Sequence, residues 1–169
     1  EAQMRVFQTV RNTGIAVTLE LGEDRNIHPL DKKPVGERLA LQALYSVYRK
    51  SKEKEAFGPI YRDYHIEDDR LVTEFDHAED GIVFESEDDL GFELAGADRH
   101  YYQAKAYADG NKIVLSAAEV PKPVCARYCW TNYRKVAVFG SNHLPMAPFR
   151  TDKADGAVAY GSRQGRIFN

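Results

Sequence analysis

The chain has 169 residues, of which 43% are hydrophobic and 29% charged, with a formal net charge of −3. That length holds one medium domain or two small ones. The slightly acidic balance lacks the basic stripe that nucleic acid needs, and no apolar run approaches the roughly 18 residues of a membrane helix, so neither is expected as a partner.

The first segment, EAQMRVFQTV (1–10), reads as an amphipathic helix with Met4, Val6, Phe7 and Val10 on its apolar side. It begins without an initiator methionine and without a signal-peptide pattern. We therefore expect the chain to be a piece of a longer polypeptide. RNTG stops the helix at Gly14. IAVTLEL (15–21) is almost continuously apolar and β-branched, the pattern of a strand buried on both faces of a parallel sheet.

The loop GEDRNIHPLDKK follows, and a second helix is expected from Pro34 to Lys50. Val35, Leu39, Ala40, Ala43, Leu44, Val47 and Tyr48 form its apolar stripe, Asp31 is a plausible cap, and Pro34 falls in the first turn, where its missing N–H costs little. Helix, strand, loop and helix make the terminal unit of an α/β sheet. Ligands in such sheets bind at the carboxyl ends of strands, where His28 lies. A loop histidine there can act as a general base, because an imidazole titrates near working pH. It can equally be an ordinary loop residue; Pro29 restricts its backbone in either case.

The charged KSKEKEAFGP reads as a linker, after which short strands alternate with turn signals. YHIEDDRLVTEF is a hairpin around Asp68-Asp69. GIVFES, FELAG and YYQAKAYADGNKIVLS continue the series, the last with a turn at Asp109-Gly110, and PVCARYCW is a further strand. The expectation is an antiparallel β-sandwich of about 90 residues. Overall this predicts α/β plus all-β: residues 1–55 ending a catalytic domain, 56–152 a β-sandwich, and 153–169 an irregular tail.

Cys125 and Cys129, on one strand face, would sit about 13 Å apart at ~3.3 Å per residue. A disulfide needs Cα atoms within roughly 7 Å, so two free thiols are expected. No histidine pair has metalloprotease or zinc-finger spacing, and neither DHAEDG nor SEDDLG matches a calcium loop. No metal or other cofactor is expected. Alternation along RYCWTNY puts Tyr128 and Trp130 on one face and Arg127 and Cys129 on the other. Trp130 is a core residue or a sugar-stacking platform, and Arg127 is paired, exposed, or a partner for a sugar carboxylate.

NTGIAVTLELGEDRNIHPLDKKPVGERLALQAL resembles the last block of the sialate O-acetylesterase family, a branch of the SGNH-type serine esterases. FELAGADRHYYQAKA with DGNKIVLS, PVCARYCW and HLPMAPFRTD resemble later blocks in family order, so the resemblance covers residues 1 to 152. It implies the end of a flavodoxin-like hydrolase sheet followed by a β-rich domain, and hydrolysis of acetyl esters on sugars, sialic acid being the family's named substrate. Family members are often exported, which implies an extracytoplasmic enzyme.

The resemblance also makes His28 the catalytic base. The nucleophilic serine belongs to an upstream Gly-Asp-Ser-like block, and none of Ser46, Ser51, Ser86, Ser116, Ser141 and Ser162 stands in that context. The N-terminal part of the same precursor is thus the expected partner, with an acetylated sugar as substrate. Many such esterases carry Asp three residues before the histidine, where this chain has Arg25; relatives read Asp-Ile-His where it has Asn26-Ile27-His28. Asp24 is the nearest carboxylate and the favoured one behind the imidazole, Glu23 is the next nearest, and Asn26 or a backbone carbonyl are the alternatives. The competing readings are a non-catalytic β-sandwich that binds glycan or protein, and an inactive family member.

Overall fold

The computed structural model describes residues 1–152; the expected tail at 153–169 lies outside them. Most of the described chain is antiparallel sheet. β1 (Ile60–Glu67) and β2 (Arg70–Asp76) form the expected hairpin, with Glu67 opposite Arg70 and Asp68 at positive φ in the two-residue turn. β3 (Ile82–Phe84), β4 (Phe92–Ala95), β5 (Tyr101–Gln103), β6 (Lys105–Asp109), β7 (Lys112–Ser116), β8 (Cys125–Tyr128), β9 (Val138–Gly140) and β10 (Phe149–Arg150) follow. The β6–β7 turn falls one residue later than expected, on Gly110-Asn111, because Asp109 still pairs with Lys112.

Three sheets result, in the orders β1-β2-β7-β6, β10-β8-β4-β5 and β3-β9. Alternation selects what they bury. Leu71, Thr73 and Phe75 of β2 and Ile113 and Leu115 of β7 meet Phe92, Leu94, Ala126, Tyr128 and Phe149 from the second sheet. Both four-stranded sheets therefore feed one core. Its centre is aromatic: Phe149 stacks on Tyr61 at 4.7 Å and stands edge-on to Phe75 at 5.6 Å.

The N-terminal third departs from expectation. α1 (Ala2–Thr9) and α2 (Lys33–Ser46) are present, but IAVTLEL is no strand: among the described residues it joins no ladder, and Leu19–Leu21 form a 3₁₀ turn. A strand exists only where a neighbour supplies the other half of its hydrogen bonds. The segment is instead clamped by side chains of α2. Gln42 accepts the Ile15 N–H at 3.4 Å and donates to the Ala56 carbonyl, while Arg38 donates to the Val17 carbonyl at 2.5 Å and pairs with Glu20.

The expected linker also has structure. α3 (Glu53–Ala56) leads Ala56 and Phe57 into a second buried cluster with Met4, Phe7, Ile60 and Ala147. Gly58 passes so close to β-rich residues that a Cβ there would lie 2.8 Å from the Leu144 carbonyl oxygen. α2 turns the other way from its expected packing: Gln42 is its buried residue, and Leu39, Leu44, Val47 and Tyr48 are exposed. Lys32 rather than Asp31 takes the cap position, with no side-chain cap bond. No helix among the described residues is long and apolar enough to cross a membrane.

Candidate functional site

The loop 22–30 leaves the 3₁₀ turn and returns to α2, and it is organised from within. Glu23 is its hub. One carboxylate oxygen accepts the Leu30 N–H at 2.8 Å and the other accepts the Asn26 amide at 3.0 Å. The Asn26 N–H donates to the Glu23 carbonyl at 3.3 Å, and the Asn26 side-chain oxygen accepts the His28 N–H at 3.0 Å. The Leu30 N–H first, and the Asn26 amide second, hold the Glu23 carboxyl below the usual carboxylate range.

His28 is therefore presented on a pinned backbone with its ring in solvent; among the described residues neither ring nitrogen has a hydrogen-bond partner. Asp24 does not stand behind the ring, since its exposed carboxylate pairs with Arg25 at 3.9 Å. Asn26 holds the His28 backbone rather than the imidazole. Neither expected orienting residue contacts the imidazole. Ile27 and Leu30 beside it are 90% and 85% exposed, an arrangement that water alone does not favour.

Sequence reasoning ranked Glu23 behind Asp24. Its role depends on reaching Leu30, seven residues on, and no local periodicity signals that contact.

The structure brings a second segment to this loop. β8 ends at Tyr128 because Cys129 adopts φ 50°, which breaks the expected alternation. Tyr128 and Cys129 are both buried, and Trp130 lies beyond the strand. Residues 129–136 then form a loop facing residues 18–29 across a groove of about 320 Å³. Its lining includes Glu23, Asn26, Ile27, Pro29, Thr131 and Tyr133. The loop is tied at both ends: the Cys129 N–H donates to the Gly91 carbonyl at 2.9 Å, and Arg134 binds the Asp89 carboxylate at 2.6 Å.

Trp130 does not line the groove; the Arg150 guanidinium lies 5.3 Å from its ring centre. Arg127 sits on the outer face of its sheet, bound to both Glu93 oxygens at 2.7 and 3.1 Å and stacked 3.8 Å over the Tyr101 ring. Its guanidinium is thus already engaged with a carboxylate. Both thiols are free and buried, and burial pushes the Cys129 thiol up. Among the described residues no cluster of three acidic, histidine or cysteine side chains could hold a metal ion.

No protein-family model matches the chain, and no curated protein matches it. A solved structure does. The chain is similar to the crystal structure of a novel carbohydrate acetylesterase from Xanthomonas citri, with 30% identity and a TM-score of 0.76. The match covers 82% of this chain and 32% of the acetylesterase chain. The similarity supports a relationship to carbohydrate esterases, over about a third of that relative's length.

Proposed function

We propose that this chain is the C-terminal part of a carbohydrate O-acetylesterase of the SGNH serine-hydrolase type, similar to sialate O-acetylesterases, with His28 as its general base. The observation that carries the reading is an exposed imidazole on a loop pinned by Glu23 and Asn26, in a chain 30% identical to a carbohydrate acetylesterase. Residues 1–55 would complete the catalytic domain and 56–152 form the β-rich domain behind it. The serine would come from the N-terminal part of the same polypeptide. The exposed apolar residues of the first fifty positions support this, since Ile27, Leu30, Leu39, Val47 and Tyr48 are left exposed by the described residues. As an enzyme of sugar acetyl esters it would work outside the cytoplasm.

In this mechanism an imidazole nitrogen of His28 takes the serine proton as the oxygen attacks the acetyl carbonyl. The imidazolium then returns that proton to the departing sugar oxygen, leaving acetyl-serine. A water deprotonated by His28 releases acetate and regenerates the serine. The lack of a carboxylate at the ring favours one rival reading, that of an inactive family member. One substitution separates them. In the full-length protein His28→Ala should lower turnover of an aryl acetate by about 10²–10⁴-fold, whereas an unchanged rate refutes the assignment. The 169-residue chain alone should release no acetate.

A further inference from the structure

We propose that the groove between residues 18–29 and 129–136 seats the sugar part of the substrate, and that this sugar is neutral rather than carboxylated. The inference rests on the esterase reading and adds a binding surface and a substrate class to it.

Size is the first argument. About 320 Å³ is within the range of small-ligand sites and suits one or two sugar rings. Position is the second: the groove is lined by Asn26, Ile27 and Pro29 of the loop that carries His28, while the imidazole itself lies outside the lining. The third is rigidity. The 129–136 loop is anchored through Cys129 to Gly91 and through Arg134 to Asp89, so its side chains are held in place before a ligand arrives.

The chemistry of the lining selects the ligand. Both Glu23 oxygens are occupied by Leu30 and Asn26, and both side-chain groups of Asn26 are used. Arg134, the one basic residue among the described residues lining the groove, is bound to Asp89 through Nη2, and its Nε is buried without a hydrogen-bond partner among the described residues. Arg25, at the loop's exposed tip, is outside the lining and beside Asp24. What stays available is uncharged: the Thr131 hydroxyl, the Asn132 amide and the half-exposed Tyr133 ring with its phenol. Hydroxyl and amide groups exchange hydrogen bonds with sugar hydroxyls, and a flat ring packs on sugar C–H faces. A sugar carboxylate seated against this lining would meet the like charge of Glu23, while the lining's one cation, Arg134, already pairs with Asp89. Arg127, the cation the sequence offered for a sugar carboxylate, is on an outer sheet face and held by Glu93.

The test compares Tyr133→Ala and Asn132→Ala with the unaltered full-length enzyme on three substrates: an aryl acetate, O-acetylated xylo-oligosaccharide and an O-acetylated sialic acid. Each variant should raise KM for the xylo-oligosaccharide fivefold or more with kcat within twofold. The unaltered enzyme should favour the neutral sugar over the carboxylated one. Unchanged KM in both variants, or preference for the sialic acid, overturns the proposal while leaving the esterase reading intact. If the unaltered protein turns over no acetate, the esterase reading fails. Titration of deacetylated xylo-oligosaccharide, followed by calorimetry and the backbone amide shifts of residues 131–136, then decides the groove: saturable binding lost in Tyr133→Ala upholds it, and no binding overturns it.

Discussion

Phe57→Ala should release the His28-bearing segment while leaving the sheets folded. Phe57 is 4% exposed and joins three parts of the chain: it stacks on His77 at 4.6 Å, and meets Phe7 of α1 at 5.5 Å and Tyr45 of α2 at 5.8 Å. Truncating a buried phenylalanine costs about 3–5 kcal/mol, which includes aromatic pairs worth ~0.5–1.5 each. The cluster it leaves holds Met4, Phe7, Ala56, Ile60 and Ala147, a small share of the buried apolar side chains. The larger core, centred on Phe149, contains none of these. A loss of ~3 kcal/mol is two decades in a local opening equilibrium. Hydrogen exchange should therefore speed up about 100-fold or more in α1 and α2, with β2, β7 and β8 protected as before. Phe57→Leu, which keeps most of the volume, should give a much smaller change. Equal acceleration in β2 and β7 would refute the reasoning, because the two clusters would then open as one unit. Unchanged exchange in α1 and α2 would refute it from the other side.

Four further expectations follow from the geometry. Asn26→Asp places a carboxylate against Glu23 Oε2, where the amide now donates at 3.0 Å; it should loosen the loop at neutral pH and lower full-length activity, and a wild-type rate would count against the role given to Asn26. Because the Glu23 carboxyl is held below its usual range, the order it confers is complete above the ordinary carboxylate pKa and lost as pH falls through the lowered value; the Leu30 amide shift should report that titration, moved to higher pH in Asn26→Asp. Tyr128→Phe removes a buried hydroxyl that has no hydrogen-bond partner among the described residues and whose polar surroundings are the weakly bonding Cys129 thiol, Arg134 and Glu20. Relief of a desolvation cost of about 1–3 kcal/mol should hold or raise stability, each kcal/mol moving Tm by about 2–4 °C, and a loss above 1 kcal/mol in urea unfolding would show a partner for the hydroxyl. Cys125 and Cys129, both buried, should resist a thiol reagent in the native protein and react fully in urea.

What the sequence by itself determined was local. The Asp68-Asp69 turn, the alternation of β2 and β7 and the two helices follow from turn chemistry and side-chain period, which act over a few residues. His28 was legible for the same reason, as a histidine-proline pair between apolar segments. Tertiary structure decided the rest. IAVTLEL has strand composition, yet it forms no ladder, because pairing belongs to neighbours and not to the segment. The apolar stripe of α2 predicted a buried face, but Gln42 and Arg38 hold the other face against the chain. RYCWTNY read as one alternating strand until Cys129 turned the backbone and sent residues 131–134 toward the histidine loop. Glu23 and Tyr133 lie more than a hundred positions apart in sequence and on one groove in space. Only the folded chain sets them facing each other, because its long-range contacts, unlike its turns, are not encoded in any short window of residues.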